Sequence, residues 1–238
     1  MDLEDHVALV TGATSGIGLA VARELAQAGM RVAISGRRAE LLETNAASIP
    51  GCIALPGEMT EAGFPESLFE RTLADLGRLD VVINNAGLVE SGSIEEIDVE
   101  RVCAMVRVNV ECSFRVAYLA VKHFRKAGSG QLVNTSSVLG SKVRPLIGAY
   151  AGTKHAVEAL SEALRLELVG TGIRITCVEP GLVRTDLHRD WPTRPEKMQG
   201  VDVLLTPEDV ARCVMFAIQQ PAHAYVPRVM ILPRDQPI

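Results

Sequence analysis

Seven short runs rich in Val, Ile, Leu and Ala recur along the chain, each followed by a stretch long enough for a helix, and that alternation leaves few folds open. The runs are Val7 to Val10, Arg31 to Ser35, Cys52 to Leu55, Val81 to Asn84, Gln131 to Thr135, Arg174 to Val178 and one near Val229 to Leu232. Short apolar runs of this kind read as strands buried on both faces, and helix-length crossovers between them require parallel pairing with right-handed connections. The expected fold is α/β: a doubly wound parallel seven-stranded sheet covered by helices on both sides, in three α/β/α layers. Aromatic residues make up only 4% of the chain, so the core must be aliphatic. A length of 238 residues with no internal repeat or Gly/Ser linker predicts one domain over 1–238.

Within the helical stretches, Ile17, Val21, Leu25 and Ala28 share one apolar face, and Gly29 can end that helix in a left-handed conformation. Asp98 to Ala127 and Ala149 to Val169 read as two long helices without internal proline. Thr206 is expected to cap a further helix opened by Pro207, Glu208 and Asp209. Residues 186–203 keep no period and hold Pro192, Pro195 and Gly200 among polar residues, so they predict a surface loop.

Charge and cysteine usage exclude several classes. With 29 acidic against 24 basic residues the net charge is -5, the wrong sign for neutralising phosphates, so no nucleic-acid partner is expected. No apolar run reaches the ~18 residues of a membrane span, and Met1 to His6 is acidic, so the expectation is a cytoplasmic protein without a membrane partner. Cys52, Cys103, Cys112, Cys177 and Cys213 are scattered and never spaced as C-x-x-C, which suggests neither a disulfide frame nor a metal site.

Directly after the first strand stands Thr11-Gly12-Ala13-Thr14-Ser15-Gly16-Ile17-Gly18. Glycines between a strand and a helix permit a tight turn and close backbone approach, and the free N–H groups at the helix start receive a pyrophosphate. Further along come Asn84-Asn85-Ala86-Gly87, Asn109, Ser137, Tyr150, Lys154, Pro180-Gly181 and Thr185, in that order. This set resembles the short-chain dehydrogenase/reductase family, of the type with single-domain subunits, along nearly the whole chain. The resemblance implies a Rossmann fold and a nicotinamide dinucleotide held by Gly12, Thr14, Ser15, Gly16, Ile17 and Gly18. It further implies contacts from Asn85, Ala86 and Gly87, from Pro180, Gly181, Val183 and Thr185, and from Tyr150 and Lys154 at the nicotinamide ribose.

NAD-preferring members carry an acidic residue at the end of the second strand, where this chain has Ser35-Gly36-Arg37-Arg38. A guanidinium there can form charge-assisted bonds to a 2′-phosphate, so Arg37, with Arg38 as a second ligand, predicts NADP(H) over NAD(H). Gly57-Glu58-Met59-Thr60 replaces the family's usual aspartate and small apolar residue, and places Glu58 and Met59 against the adenine.

The chemistry rests on Tyr150 and Lys154. An ordinary tyrosine, with a pKa near 10, is a poor base at neutral pH and needs a cation nearby. Four residues apart on a helix, the two side chains stack on one face, and the ammonium can stabilise a phenolate. Ser137, at the end of the fifth strand, is expected to donate to the substrate oxygen, while its neighbour Ser136 points to the opposite face. By resemblance, Asn109 sits at a helical distortion that connects the lysine to solvent. Lys154 and the three-residue gap to Tyr150 argue against dehalogenating and enoyl-reducing relatives. What remains is hydride transfer between the cofactor and a carbonyl or secondary alcohol. An NADP-binding redox sensor or scaffold without turnover is the alternative, and it has no need of Ser137, Tyr150 and Lys154 in register.

Residues 88–91, 139–145 and the loop after Pro180 are expected to wall the substrate site. Lys142, Arg144, Arg184, His188, Arg189 and Arg194 lie in those segments and could meet an acidic substrate, although a solvated rim is the commoner role for such residues. The carboxy-terminal region is similar to a subgroup containing 3-hydroxy acid dehydrogenases and clavulanate-type aldehyde reductases, which implies a small polar substrate. Family members pair through their long helices, so a homodimer or homotetramer is expected, with Cys103, Ala104 and Cys112 allowing close packing.

Overall fold

The computed structural model describes residues 3–188 and 200–237. Seven strands form one all-parallel sheet: β1 (Val7–Thr11), β2 (Arg31–Gly36), β3 (Cys52–Pro56), β4 (Val81–Asn84), β5 (Gly130–Thr135), β6 (Ile173–Pro180) and β7 (Arg228–Ile231). Their spatial order is β3-β2-β1-β4-β5-β6-β7. The chain winds outward from β1 to β3, then returns to pair β4 with the other side of β1, in register Ala8 with Val81 and Val10 with Ile83. The expected strand segments are all present, each within about two residues of its bounds, and the fold is Rossmann-like.

Alternation along the strands builds a core on each face. Ala8 and Val10 of β1 join Val32, Ile34, Val133 and Val178 on one side. Val7 and Leu9 join Ala33, Leu55, Val82 and Leu132 on the other. The first face is covered by α1 (Gly16–Gln27) and α2 (Ala39–Ala47), with α7 (Pro207–Ile218) packed against α1. The second is covered by α3 (Phe64–Leu76), α5 (Ser113–Ala127) and α6 (Gly148–Glu167). Gly29 is left-handed, at φ +85°, just past the end of α1. Thr206 and Asp209 form a reciprocal capping box at the start of α7, which satisfies two backbone donors at once.

One expected helix differs. The stretch from Asp98 to Ala127 is not a uniform α-helix: α4 (Val99–Val106) passes through a π-helical segment, Arg107–Cys112, into α5. A π-bulge slips the register of the helix, and such insertions concentrate at functional sites. Asn109 lies inside it. Cys112 is also displaced from its expected role in subunit packing: it is buried, and its thiol donates to the Met59 carbonyl at 3.1 Å.

Candidate active site

The strand order reverses between β1 and β4, and ligands of open α/β sheets sit beyond the carboxyl ends of the strands at such a point. The loops there are tied together tightly. Thr11 Oγ1 accepts from the Asn85 and Ala86 amides at 3.0 and 3.1 Å. Asn85 Nδ2 donates to the Thr11 and Gly12 carbonyls, and its Oδ1 accepts from Thr135 Oγ1 at 3.2 Å. A side chain at Gly12, where φ is +67°, would place Cβ 2.7 Å from the Ala86 Cα. One at Gly18 would lie 2.6 Å from the Gly12 carbonyl oxygen. Close approach of Gly12 to the Asn85-Ala86 backbone therefore makes these glycines obligatory. Gly16 faces Thr185, and Ile17 packs against the core.

The start of α1 is open to an anion. Ser15 occupies the N-cap without a side-chain cap bond, and the first turn carries no acid. The Ser15 hydroxyl accepts instead from Arg38 at 2.8 Å, which brings that guanidinium to the lip of the loop. Arg37 pairs with Glu58 at 3.6 Å. At the end of β2, any side chain at Gly36 would collide with Thr14 Oγ1. Asn45 of α2 holds this corner by donating to the Thr14 carbonyl at 2.9 Å. Met59 buries its side chain in the core, so only its backbone can face a ligand.

Ser137, Tyr150, Lys154 and Asn109 are brought together, all of them buried. Ser137 stands in extended backbone just past β5 and is hydrogen-bonded to Tyr150. Its hydroxyl also accepts from the Leu139 amide at 3.1 Å. Burial pushes the Tyr150 phenol up to about 12, with the Ser137 bond pulling partly back. Burial also brings Lys154 down to about 8. The ammonium donates to the Thr135 carbonyl at 2.8 Å and lies 5.7 Å over the Tyr150 ring. The tyrosine pKa therefore moves opposite to the expected depression: in the buried site, desolvation outweighs the Ser137 hydrogen bond. Asn109 accepts from the Leu88 amide and donates to its carbonyl, both at 2.8 Å, and donates to Thr153 Oγ1 at 3.1 Å. The space above Gly87 is bordered by Asn109 Oδ1 and Lys154 Nζ.

On the substrate side, Pro180 ends β6, Val183 is buried, and Gly181 admits Gln236, whose side chain accepts from the Leu182 amide at 2.8 Å. Arg144 donates to the Pro237 carbonyl, so it is engaged by the chain itself, whereas Lys142 and Arg184 are solvent-exposed. Arg189 and Arg194, and most of the expected loop over 186–203, lie outside the described residues.

Residues 6–196 match the family described as short chain dehydrogenase. The chain belongs to that family. An uncharacterized oxidoreductase of Staphylococcus saprophyticus is 32% identical over 98% of this chain and 99% of its own length. The glycine betaine reductase of Emericella nidulans is 35% identical over 99% of this chain, which matches 19% of that longer protein. Among solved structures, an alcohol dehydrogenase from the archaeon Thermococcus sibiricus complexed with 5-hydroxy-NADP superposes with a TM-score of 0.87 at 27% identity, over 98% of both chains. A 3-ketoacyl-(acyl-carrier-protein) reductase from Brucella melitensis complexed with NADH gives a TM-score of 0.88 at 26% identity, over 97% of each. The protein is thus an oxidoreductase of the short-chain dehydrogenase family. Among the described residues no helix is long and apolar enough to cross a membrane, and no group of three metal-ligating side chains occurs.

Sequence reasoning missed the groups that hold this site in place. Asn84 Nδ2 donates to Ser113 and to Asn134 Oδ1, and Asn134 donates in turn to Ser161 Oγ at 2.9 Å. Asn134 in a central strand and Asn45 on a buried helix face were detectable as polar residues at apolar positions, because a buried amide is kept only where it is hydrogen-bonded.

Proposed function

We propose that the protein is an NADP(H)-dependent oxidoreductase that interconverts a carbonyl and a secondary alcohol on a small polar substrate, with Tyr150 as proton donor and acceptor. The observation that carries this reading is the convergence of Ser137, Tyr150 and Lys154 in one buried cluster past the carboxyl end of β5. A nicotinamide dinucleotide fits the residues present: an uncapped helix terminus for the pyrophosphate, Arg37 and Arg38 at the end of β2, and the Asn85-Ala86-Gly87 turn alongside. When bound, the nicotinamide supplies or takes up the hydride at the substrate carbon.

The chain's own residues handle the proton. Tyr150, protonated across the neutral range, gives its phenolic proton to the carbonyl oxygen as charge develops there, and Ser137 stabilises that oxygen by hydrogen bonding. Lys154 offsets the negative charge left on the phenolate. Asn109, bordering the same space above Gly87, fixes the Leu88 turn and offers the lysine a path to solvent.

NADP(H) is favoured by the absence of a carboxylate at Gly36 and by two guanidinium groups where a 2′-phosphate would lie. Exposed Val106, Tyr118 and Leu166 on the long helices, with Val169 just past the end of α6, support a homodimer or homotetramer. The deciding experiment follows NADPH oxidation, with NADH in parallel, against β-keto acids, semialdehydes, diketones, cyclic ketones and quinones, with Tyr150→Phe as control. Turnover with NADPH that vanishes in the variant is the expected result. Tight NADPH binding without turnover on the whole panel would refute the reductase reading.

A further inference from the structure

Tyr150, Lys154 and Glu158 occupy three successive turns of one face of α6, and all three are buried. The first two are used by the proposed chemistry, but Glu158 is not. Among the described residues neither of its carboxylate oxygens has a close hydrogen-bond partner, an uncommon and costly state for a buried acid, although the Cys177 thiol of β6 faces it. Its side chain packs beneath the turn that follows Ser137, against Gly140 and beside Ser136 Oγ, which also lacks a partner. Among the described residues its ionic contact is Arg228 of β7 at 3.6 Å, and Arg228 is already bonded at 2.6 Å to Glu179, a second buried acid on β6. Two glutamates thus share a single guanidinium behind the reacting groups.

We propose that Glu158 is a positioning residue whose buried carboxylate serves as the counter-charge that keeps Lys154 an ammonium behind Tyr150. On the same helix as Lys154, Tyr150 lies a turn before and is held in the neutral phenol form. From β5 the lysine meets the Thr135 carbonyl, and from the π-helical segment Asn109, both uncharged. From β6 Cys177 acts on it, and burial pushes that thiol up to about 12 and so keeps it neutral. Desolvation drains the charge of Lys154, and Cys177 and then Glu158 oppose it; with the thiol neutral, Glu158, one turn on along the same buried face of α6, is the carboxylate among them. Arg228 binds Glu179 more closely than Glu158, which leaves the Glu158 carboxylate only partly neutralised and able to serve the lysine.

The inference deepens the reductase reading, but its test needs no substrate. The protein contains five lysines, so side-chain 15N-labelling resolves each ammonium by NMR, and Lys154→Arg assigns the signal of interest. In Glu158→Gln the Lys154 titration is expected to move down by about one pH unit, as loss of a neighbouring opposite charge requires. Arg228→Gln, which frees Glu158 from its partner, moves it up, and Glu158→Asp restores most of the wild-type midpoint. In turnover, Glu158→Gln loses little at pH 6 and about fivefold at pH 8, the ammonium lost to a one-unit shift. A purely structural glutamate would cost the same factor at every pH. An unmoved Lys154 midpoint in folded Glu158→Gln overturns the proposal, and so does an unmoved midpoint in Arg228→Gln if the first variant does not fold. A shifted midpoint in a protein that reduces no carbonyl would support this role for Glu158 and overturn the reductase reading instead.

Discussion

Thr14 Oγ1 fills the place that a side chain on Gly36 would take at the end of β2. The phosphate loop and the second strand meet there with no room for a carboxylate, and Asn45 locks the contact by binding the Thr14 carbonyl. In the proposed NADP(H) site the pairing of Thr14 with Gly36 therefore leaves no room for a ribose-binding carboxylate, and recognition would fall to the residues just beyond it.

Those residues are Arg37 and Arg38. The Arg37–Glu58 pair is largely exposed, and pairs of that kind contribute under about 1 kcal/mol, so Glu58 can yield the guanidinium to a phosphate. Arg37→Asp is expected to weaken NADP(H) binding by about 1.5–3 kcal/mol, the range for a charge-assisted hydrogen bond, while NAD(H) binding changes little. Fluorescence titration with both cofactors gives the ratio. An unchanged ratio would remove Arg37 from the cofactor site.

The same corner predicts a coupling in stability. Gly36→Ala forces a methyl group onto the Thr14 hydroxyl and should cost about 1–3 kcal/mol, as overpacking does. Thr14→Ala in the same chain vacates the space, so the double variant recovers much of that loss. A denaturant-unfolding cycle of the four proteins measures the coupling, and simple additivity would show that the loop moves aside at no cost.

Tyr150→Phe removes the phenolic proton and little else, because the ring still packs in its buried site. A decrease in kcat of about 10²–10⁴, the usual contribution of a positioned acid, is expected, far exceeding any loss of cofactor affinity from the missing hydroxyl at the ribose. Retention of more than a tenth of wild-type kcat would assign the proton to another group.

Most of this architecture was legible in the chain because the determinants are local. Strand runs, glycines flanking α1 and the Tyr150-Lys154 spacing carry their own geometry. What escaped was set by tertiary contact. The helical distortion at Asn109 was expected through the family resemblance alone: the π-helical segment has no periodicity of its own, and its asparagine is held by bonds to Leu88 and Thr153, which are 21 and 44 residues away. The direction of the Tyr150 shift was likewise not readable from spacing. Four residues on a helix bring a cation near, but burial decides how much charge either group can hold.

That competition makes the pH response a direct test of Lys154. Its folded pKa, lowered to about 8, means the ammonium is lost as pH rises through that value, while Tyr150 stays protonated up to about 12. Carbonyl reduction should therefore fall with a single limb near pH 8, and Lys154→Met should be slow at every pH with the limb gone. Stability moves the other way. Because the folded pKa lies below the ordinary 10.5, the unfolded chain binds more protons between about pH 8 and 10.5, so wild type gains stability relative to Lys154→Met as pH rises through that window. The gain is bounded at roughly 3 kcal/mol by 1.36 kcal/mol per pKa unit. Parallel urea titrations of the two proteins at pH 7.5 and 10 read the difference, and a constant offset would show that Lys154 keeps its full charge in the folded state.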